Sequence, residues 1–216
     1  MIAWAMMTAP RPVATMERSL ASFREAGWMD RVTIVEDVKK AGALMTWRRA
    51  MRTMLRESDA PYIGIMQDDI LWARGSREVL LEEMRCMGYR AQLAGYLSLY
   101  VFEKHRDEAR VETWRNWHVS GLGFKSAGAQ CYVLPRRSAM KLVKNDAFNF
   151  FCDHRRGDRK KGDDHVVSGV LKMMCMRCWF RVPGLVSHQL GFNNSAIGHK
   201  PTPSDASWEE VARAAY

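Results

Sequence analysis

Between Ile2 and Met66 three short apolar runs alternate with two amphipathic stretches. The first run, Ile2 to Met7, breaks at Thr8-Ala-Pro-Arg-Pro12. Thr15 then reads as a helix N-cap, Leu20, Phe23 and Trp28 supply an apolar stripe, and Gly27 stops the helix after Ala26. Arg31 to Val35 is the second run and ends in Glu36-Asp37. Leu44, Trp47, Met51 and Leu55 share one face of a second helix, Leu44 to Arg56. The third run, Tyr62 to Met66, follows Pro61 and stops at Gln67-Asp68-Asp69. Strands this short, with one helix in each gap, predict a β-α-β-α-β unit and hence a parallel sheet with helices on its faces. This is the mononucleotide-binding half of a doubly wound fold. No GxGxxG follows the first strand, so the dinucleotide fingerprint is absent.

The rest of the chain extends this pattern less regularly. Helices are expected over Arg77 to Met87, Arg137 to Lys144 and Val166 to Met176, and strands over Ala91 to Phe102, Ala129 to Leu134 and Trp179 to Val182. His105 to Arg115 is charged enough to read as a surface loop, and Cys152 to Asp164, with its glycines and charges, as another. The polar tail after Gly191 is expected to end in a short helix near Trp208. At 216 residues the chain has the size of one domain.

The chemistry concentrates at the strand ends. Asp68 and Asp69 leave an apolar run and re-enter another at Ile70, which places two carboxylates at the rim of a sheet. Buried acids there need a cation, a metal or a polar ligand, and in open α/β sheets that rim is where ligands bind. The pair therefore points to a divalent metal holding a phosphate-bearing substrate, against the alternative of two solvated acids at a turn. Thr8, Ala9 and Pro10 end the first strand and can bracket a base. Glu36 or Asp37 can accept hydrogen bonds from a ribose. Arg48 can pair with a phosphate, or be a solvated helix arginine. Asp163 and Asp164 stand at the start of the Val166 helix, as caps or as a general base. His188 follows the last strand, either structural or, with the acidic pair, a metal ligand.

The net charge of +9 favours a polyanionic partner over a neutral one, although simple solubility also explains it. Arg155, Arg156, Arg159, Lys160 and Lys161 can track a phosphate backbone, and Trp117 can stack on a base. Five cysteines make no even disulfide framework, and Cys175-Met-Arg-Cys178 lacks the second ligand pair that zinc requires. No apolar run reaches the length of a membrane span, and Met1 to Met7 has no basic segment of a secretory leader before it. A reducing cytoplasm is the expected location, the host's if a phage encodes the chain.

The segments AMMTAPRP, TMERSLASFREAGW, VTIVED, PYIGIMQDDI, GAQCYVLPR, GDDHVVSGVL and PGLVSHQLGFNNS recur in this order in GT-A-fold glycosyltransferases. The resemblance is nearest to the compact, DNA-modifying enzymes of that kind carried by bacteriophages, and it covers about residues 2 to 198. It implies one GT-A domain, α/β and Rossmann-like, with a mostly parallel central sheet. Residues 1–90 would form the nucleotide-sugar-binding half, 91–200 the acceptor-binding half and 201–216 a tail. The family's acidic motif is Asp-X-Asp; here Gln67 holds the first place, so Asp68 falls to the nucleotide sugar and Asp69 to the metal, Mn²⁺ or Mg²⁺. His188 matches the C-terminal metal-binding histidine, and Asp164, with Asp163 as its rival, the base of inverting members. The implied activity is metal-dependent transfer from a nucleotide sugar, a UDP-sugar by resemblance, to a hydroxyl. The acceptor expected from the positive charge is a hydroxymethylated pyrimidine in phage DNA. The alternatives are a cell-envelope glycan or lipid, and, without catalysis, a nucleic-acid-binding module.

Overall fold

The computed structural model describes residues 1–10, 15–38, 40–100, 110–120, 130–154 and 163–189. The N-terminal half follows the expected alternation: β1 (Ile2–Thr8), α1 (Thr15–Glu25), β2 (Val32–Glu36), α2 (Ala43–Glu57) and β3 (Tyr62–Gln67). After it come β4 (Ile70–Trp72), α3 (Ser76–Met87), α4 (Tyr89–Leu93), β5 (Tyr96–Ser98), β6 (Arg110–Trp114), β7 (Trp117–Ser120) and β8 (Cys131–Pro135). The chain continues through α5 (Arg136–Lys144), α6 (Asp146–His154), α7 (Asp163–Met173), β9 (Cys178–Arg181) and β10 (Val186–His188).

Eight strands form one sheet in the order β2-β1-β3-β8-β5-β9-β7-β6. Pairing is parallel at β1–β2, β1–β3 and β5–β9 and antiparallel elsewhere, so β8 and β7 run against the other six. The sheet passes through both halves of the chain, and the architecture is a single α/β domain. Alternate strand residues feed opposite layers, as the pleat requires. Ile2, Trp4 and Met6 pack on the α1/α3 side, whereas Ala5 and Met7 pack on the α2/α5/α6/α7 side. On the first side Trp4 meets Phe23, Trp28 and Trp72 with ring centroids 5.6, 5.0 and 5.2 Å away.

Three expectations are corrected. Ala91 to Phe102 is not one strand: Tyr89–Leu93 is a helical turn, and only Tyr96–Ser98 joins the sheet. The segment expected to loop before Arg115 holds β6, which pairs with β7 across a two-residue turn where Arg115 takes φ 51°. Tertiary pairing there overrides the charge pattern. Cys152 to His154 belong to α6, a helix whose Phe148 and Cys152 are buried beneath it. The expected short helix near Trp208 lies outside the described residues.

One buried polar network has no trace in the sequence pattern. Arg181 of β9, fully buried, makes two hydrogen bonds to Glu83 of α3, at 2.8 and 2.9 Å, and donates a third to the Pro183 carbonyl at 2.6 Å. The indole N–H of Trp117 also donates to Glu83, at 2.8 Å. A buried guanidinium this well satisfied ties the outer strands to the helix layer.

Candidate active site

The rim is built by register. Thr8 lies opposite Glu36, and Met7 opposite Gln67, so β1, β2 and β3 end together. Past Gln67 the chain leaves the large sheet: Asp68 and Asp69 form the turn into β4, which pairs antiparallel with β10 alone. Helix α1 holds that departure. The Ser19 hydroxyl donates to the Ile70 carbonyl at 2.7 Å, and the Ser22 hydroxyl accepts the Trp72 N–H at 3.1 Å. Both acids are consequently buried, at 2% and 3% exposure.

The two carboxylates face different partners. The Thr8 hydroxyl donates to Asp68 Oδ2 at 2.6 Å, a short charge-assisted bond that joins the end of β1 to the turn. Asp69 Oδ2 lies 4.0 Å from His188 Nδ1. Residues 119 positions apart meet because β10 sets His188 opposite Ile70, and the ladder continues one step as the Gln189 N–H donates to the Asp69 carbonyl at 2.9 Å. Tyr100, fully buried, meets the His188 ring edge-on at 5.3 Å. The Gln189 side chain, also buried, donates to the carbonyl of Thr15 at 2.9 Å and towards that of Ile70 at 3.4 Å. Tyr100 and Gln189 were not expected from sequence; the position of Gln189 beside His188 was the only available signal.

Other expected residues divide. Ala9 and Pro10 follow Thr8 on the rim, and Gln67 is half-buried there, its N–H donating to the Gln130 carbonyl at 2.8 Å. Glu36 is exposed at the end of β2, and its carbonyl accepts from Arg49. Asp37 is buried, and its two oxygens accept the N–H groups of Ala41 and Gly42, each at 2.8 Å; it clamps the turn into α2. Arg48 turns to α6, where it pairs with Asp153 at 2.8 Å and holds that carboxyl below its usual range. Trp117 is a correction: it is fully buried with its N–H on Glu83, so it offers no stacking surface. Asp163 and Asp164 begin α7, their side chains outside the described residues. Because α7 leads into β9, which runs with β3, that helix start lies towards the edge where β3 ends. Arg155, Arg156, Arg159, Lys160 and Lys161 lie outside the described residues altogether.

Asp69 and His188 are near enough to share one ion. No group of three His, Cys, Asp or Glu side chains among the described residues is arranged to hold a metal. Asp69 offers the one carboxylate that a Mg²⁺-type site takes before water and substrate phosphates complete its shell, and the His188 imidazole adds a nitrogen donor of the kind that transition ions accept. A carboxylate and an imidazole together fit a divalent ion such as Mn²⁺ whose remaining positions are open to substrate.

The mixed α/β sheet with helices on both faces is one domain, and its fold matches the GT-A fold of glycosyltransferases. Among solved structures the chain is similar to glycosyltransferase GlyE of Streptococcus pneumoniae TIGR4 at TM-score 0.51 and 7% identity, over 99% of this chain and 60% of GlyE. It is similar to protein A197 of STIV at TM-score 0.53 and 10% identity, over 87% and 86% of the two chains. Mannose-1-phosphate geranyltransferase of Thermus thermophilus gives TM-score 0.50 and 10% identity, over 83% and 73%. At these identities the likeness is one of fold. No protein-family model matches the sequence, and no curated protein matches it.

Proposed function

We propose that the chain is a metal-dependent glycosyltransferase that moves a sugar from a nucleotide sugar, of the UDP class, to a hydroxyl. The observation that carries this reading is the approach of His188 to Asp69 within 4.0 Å, at the acidic turn of a GT-A rim. Asp69 and His188 would hold Mn²⁺ or Mg²⁺. The ion, when bound, supplies Lewis-acid stabilisation of the charge that grows on the departing diphosphate. Asp68, fixed by Thr8, presents its carboxylate towards the donor's ribose, with Ala9, Pro10, Glu36 and Gln67 around the base. Asp37 and Arg48 act one step away, shaping α2 and its contact with α6. Asp164, or Asp163, at the start of α7 takes the acceptor proton as the anomeric carbon is attacked, and attack from the face opposite the leaving group inverts the configuration.

The acceptor in this reading is a hydroxymethylated pyrimidine in DNA, flipped from the stack to reach the rim. The chain's charge of +9 supports a polyanionic acceptor. Among the described residues no helix is long and apolar enough to cross a membrane.

The test is incubation with UDP-sugars and hydroxymethylpyrimidine DNA, read by nucleoside mass spectrometry. The mass of the donor's sugar on the modified base is expected, dependent on Mn²⁺ or Mg²⁺ and reduced at least about a hundredfold in Asp69→Asn. Transfer undiminished by chelator and by Asp69→Asn overturns the metal assignment, and no transfer with any donor overturns the reaction.

A further inference from the structure

The basic segment expected to meet DNA lies outside the described residues, yet a second positive surface is built by two helices on the sheet's other layer. Helix α2 turns Trp47, Ala50, Met51 and Met54 to the sheet, which leaves Arg49, Arg52 and Arg56 exposed on the opposite side. Helix α5 buries Ser138, Ala139 and Leu142 and exposes Arg137, Lys141 and Lys144. Each set has helical spacing, so each forms one outward row. Helix α5 contains no acid, and α2 has only Glu57, at its last position, where it pairs with Arg56 at 3.0 Å. Arg52 donates to Asn149 of α6 at 3.1 Å, a neutral hydrogen-bond partner, and shares the field of Asp153 with Arg48.

The geometry points to this α2/α5 face as a docking surface for the phosphate backbone of duplex DNA. Packed helices lie about 8–10 Å apart, so the two rows are spaced to meet phosphates on both sides of a groove about 12 Å wide. The row on α2 begins near the rim: Arg49 reaches the carbonyl of Glu36 at the end of β2. A duplex along the face would therefore lead towards Asp68 and Asp69. A lipid surface fits less well. Interfacial helices insert an apolar face, and the apolar stripes of α2 and α5 are both turned to the sheet, with Met140 the outward apolar residue of α5 at 40% exposure. The inference rests on the reading above for its choice of polymer, but it concerns binding alone.

The experiment measures binding of fluorescein-labelled duplex DNA by the intact protein, without donor or metal, across salt. The variant R137Q/K141Q/K144Q is compared with R77Q/R85Q/R90Q, which removes three cations from α3 and α4 on the opposite layer. Both carry net charge +6 in place of +9. The α5 variant is expected to bind at least about tenfold more weakly, with its log–log salt slope reduced by about 2–3, while the control stays within about threefold. Circular dichroism checks that both stay folded, and the single K141Q, with a slope loss of about 1, serves if the triple does not. Equal losses in both variants, a full slope in the α5 variant, or wild-type protein that co-sediments with anionic vesicles but does not retain DNA each overturn the assignment. DNA retention through this face without sugar transfer refutes the proposed reaction and leaves the surface standing.

Discussion

Gly64→Ala is a one-carbon change whose cost follows from the packing of a single ring. Gly64 sits in the middle of β3, opposite Trp4 in the β1 ladder. A Cβ there would lie 2.1, 2.3 and 2.7 Å from Cε3, Cζ3 and Cδ2 of the Trp4 indole. Carbon atoms rest about 3.5–4.0 Å apart, so ring or strand must retreat by more than about 1 Å. Trp4 has nowhere to go: it is buried and walled in by Phe23, Trp28 and Trp72, with centroids 5.0 to 5.6 Å away. Overpacking of this kind costs about 1–3 kcal/mol, against about 0.5–1 kcal/mol regained by giving the strand an alanine. Because rigid rings cannot yield by rotamer change, the upper end applies, about 2 kcal/mol net. For a chain of this length each kcal/mol moves the midpoint by about 2–4 °C, so thermal unfolding should fall by about 4–8 °C. The same substitution in a Trp4→Leu background should cost little, because the indole is what the Cβ meets. A melting temperature within about 1 °C of the parent, or equal penalties in the two backgrounds, would refute the close-approach account of this glycine.

Two further outcomes are expected. Glu83→Gln leaves the buried Arg181 charge without its counter-ion and should destabilise by about 3–5 kcal/mol, whereas the double variant Glu83→Leu/Arg181→Met should cost clearly less than the two single changes together; additive losses in denaturant titration would sink the network. Thiol labelling of the native protein should stop at Cys86 and Cys175, which are exposed. Burial pushes the Cys152 thiol up to about 11 and Cys178 to about 12, and holds Cys131 well above its ordinary value. Those three should react only after denaturation, and rapid native labelling of any of them, read by peptide mass spectrometry, would contradict their placement.

The alternation of short apolar runs with amphipathic stretches is enough to define the first half of the molecule. Local pattern suffices there, because β1 and β3 are buried on both faces and each helix buries one stripe. The same reading placed Asp68 and Asp69 at a strand end. It failed where pairing partners are distant. A three-residue strand such as β4 or β10 has no periodicity to recognise, and β6 hides in a charged segment because its partner is β7, not its own pattern. The shared site of Asp69 and His188 was expected from the resemblance, whereas tertiary structure alone decided that Asp68 belongs to Thr8, that Arg48 serves α6, and that the Trp117 indole is held by Glu83. Sequence sets what each residue can do locally, whereas the meeting of residues 119 positions apart depends on the β4–β10 backbone ladder, which forms only once the chain between them has folded.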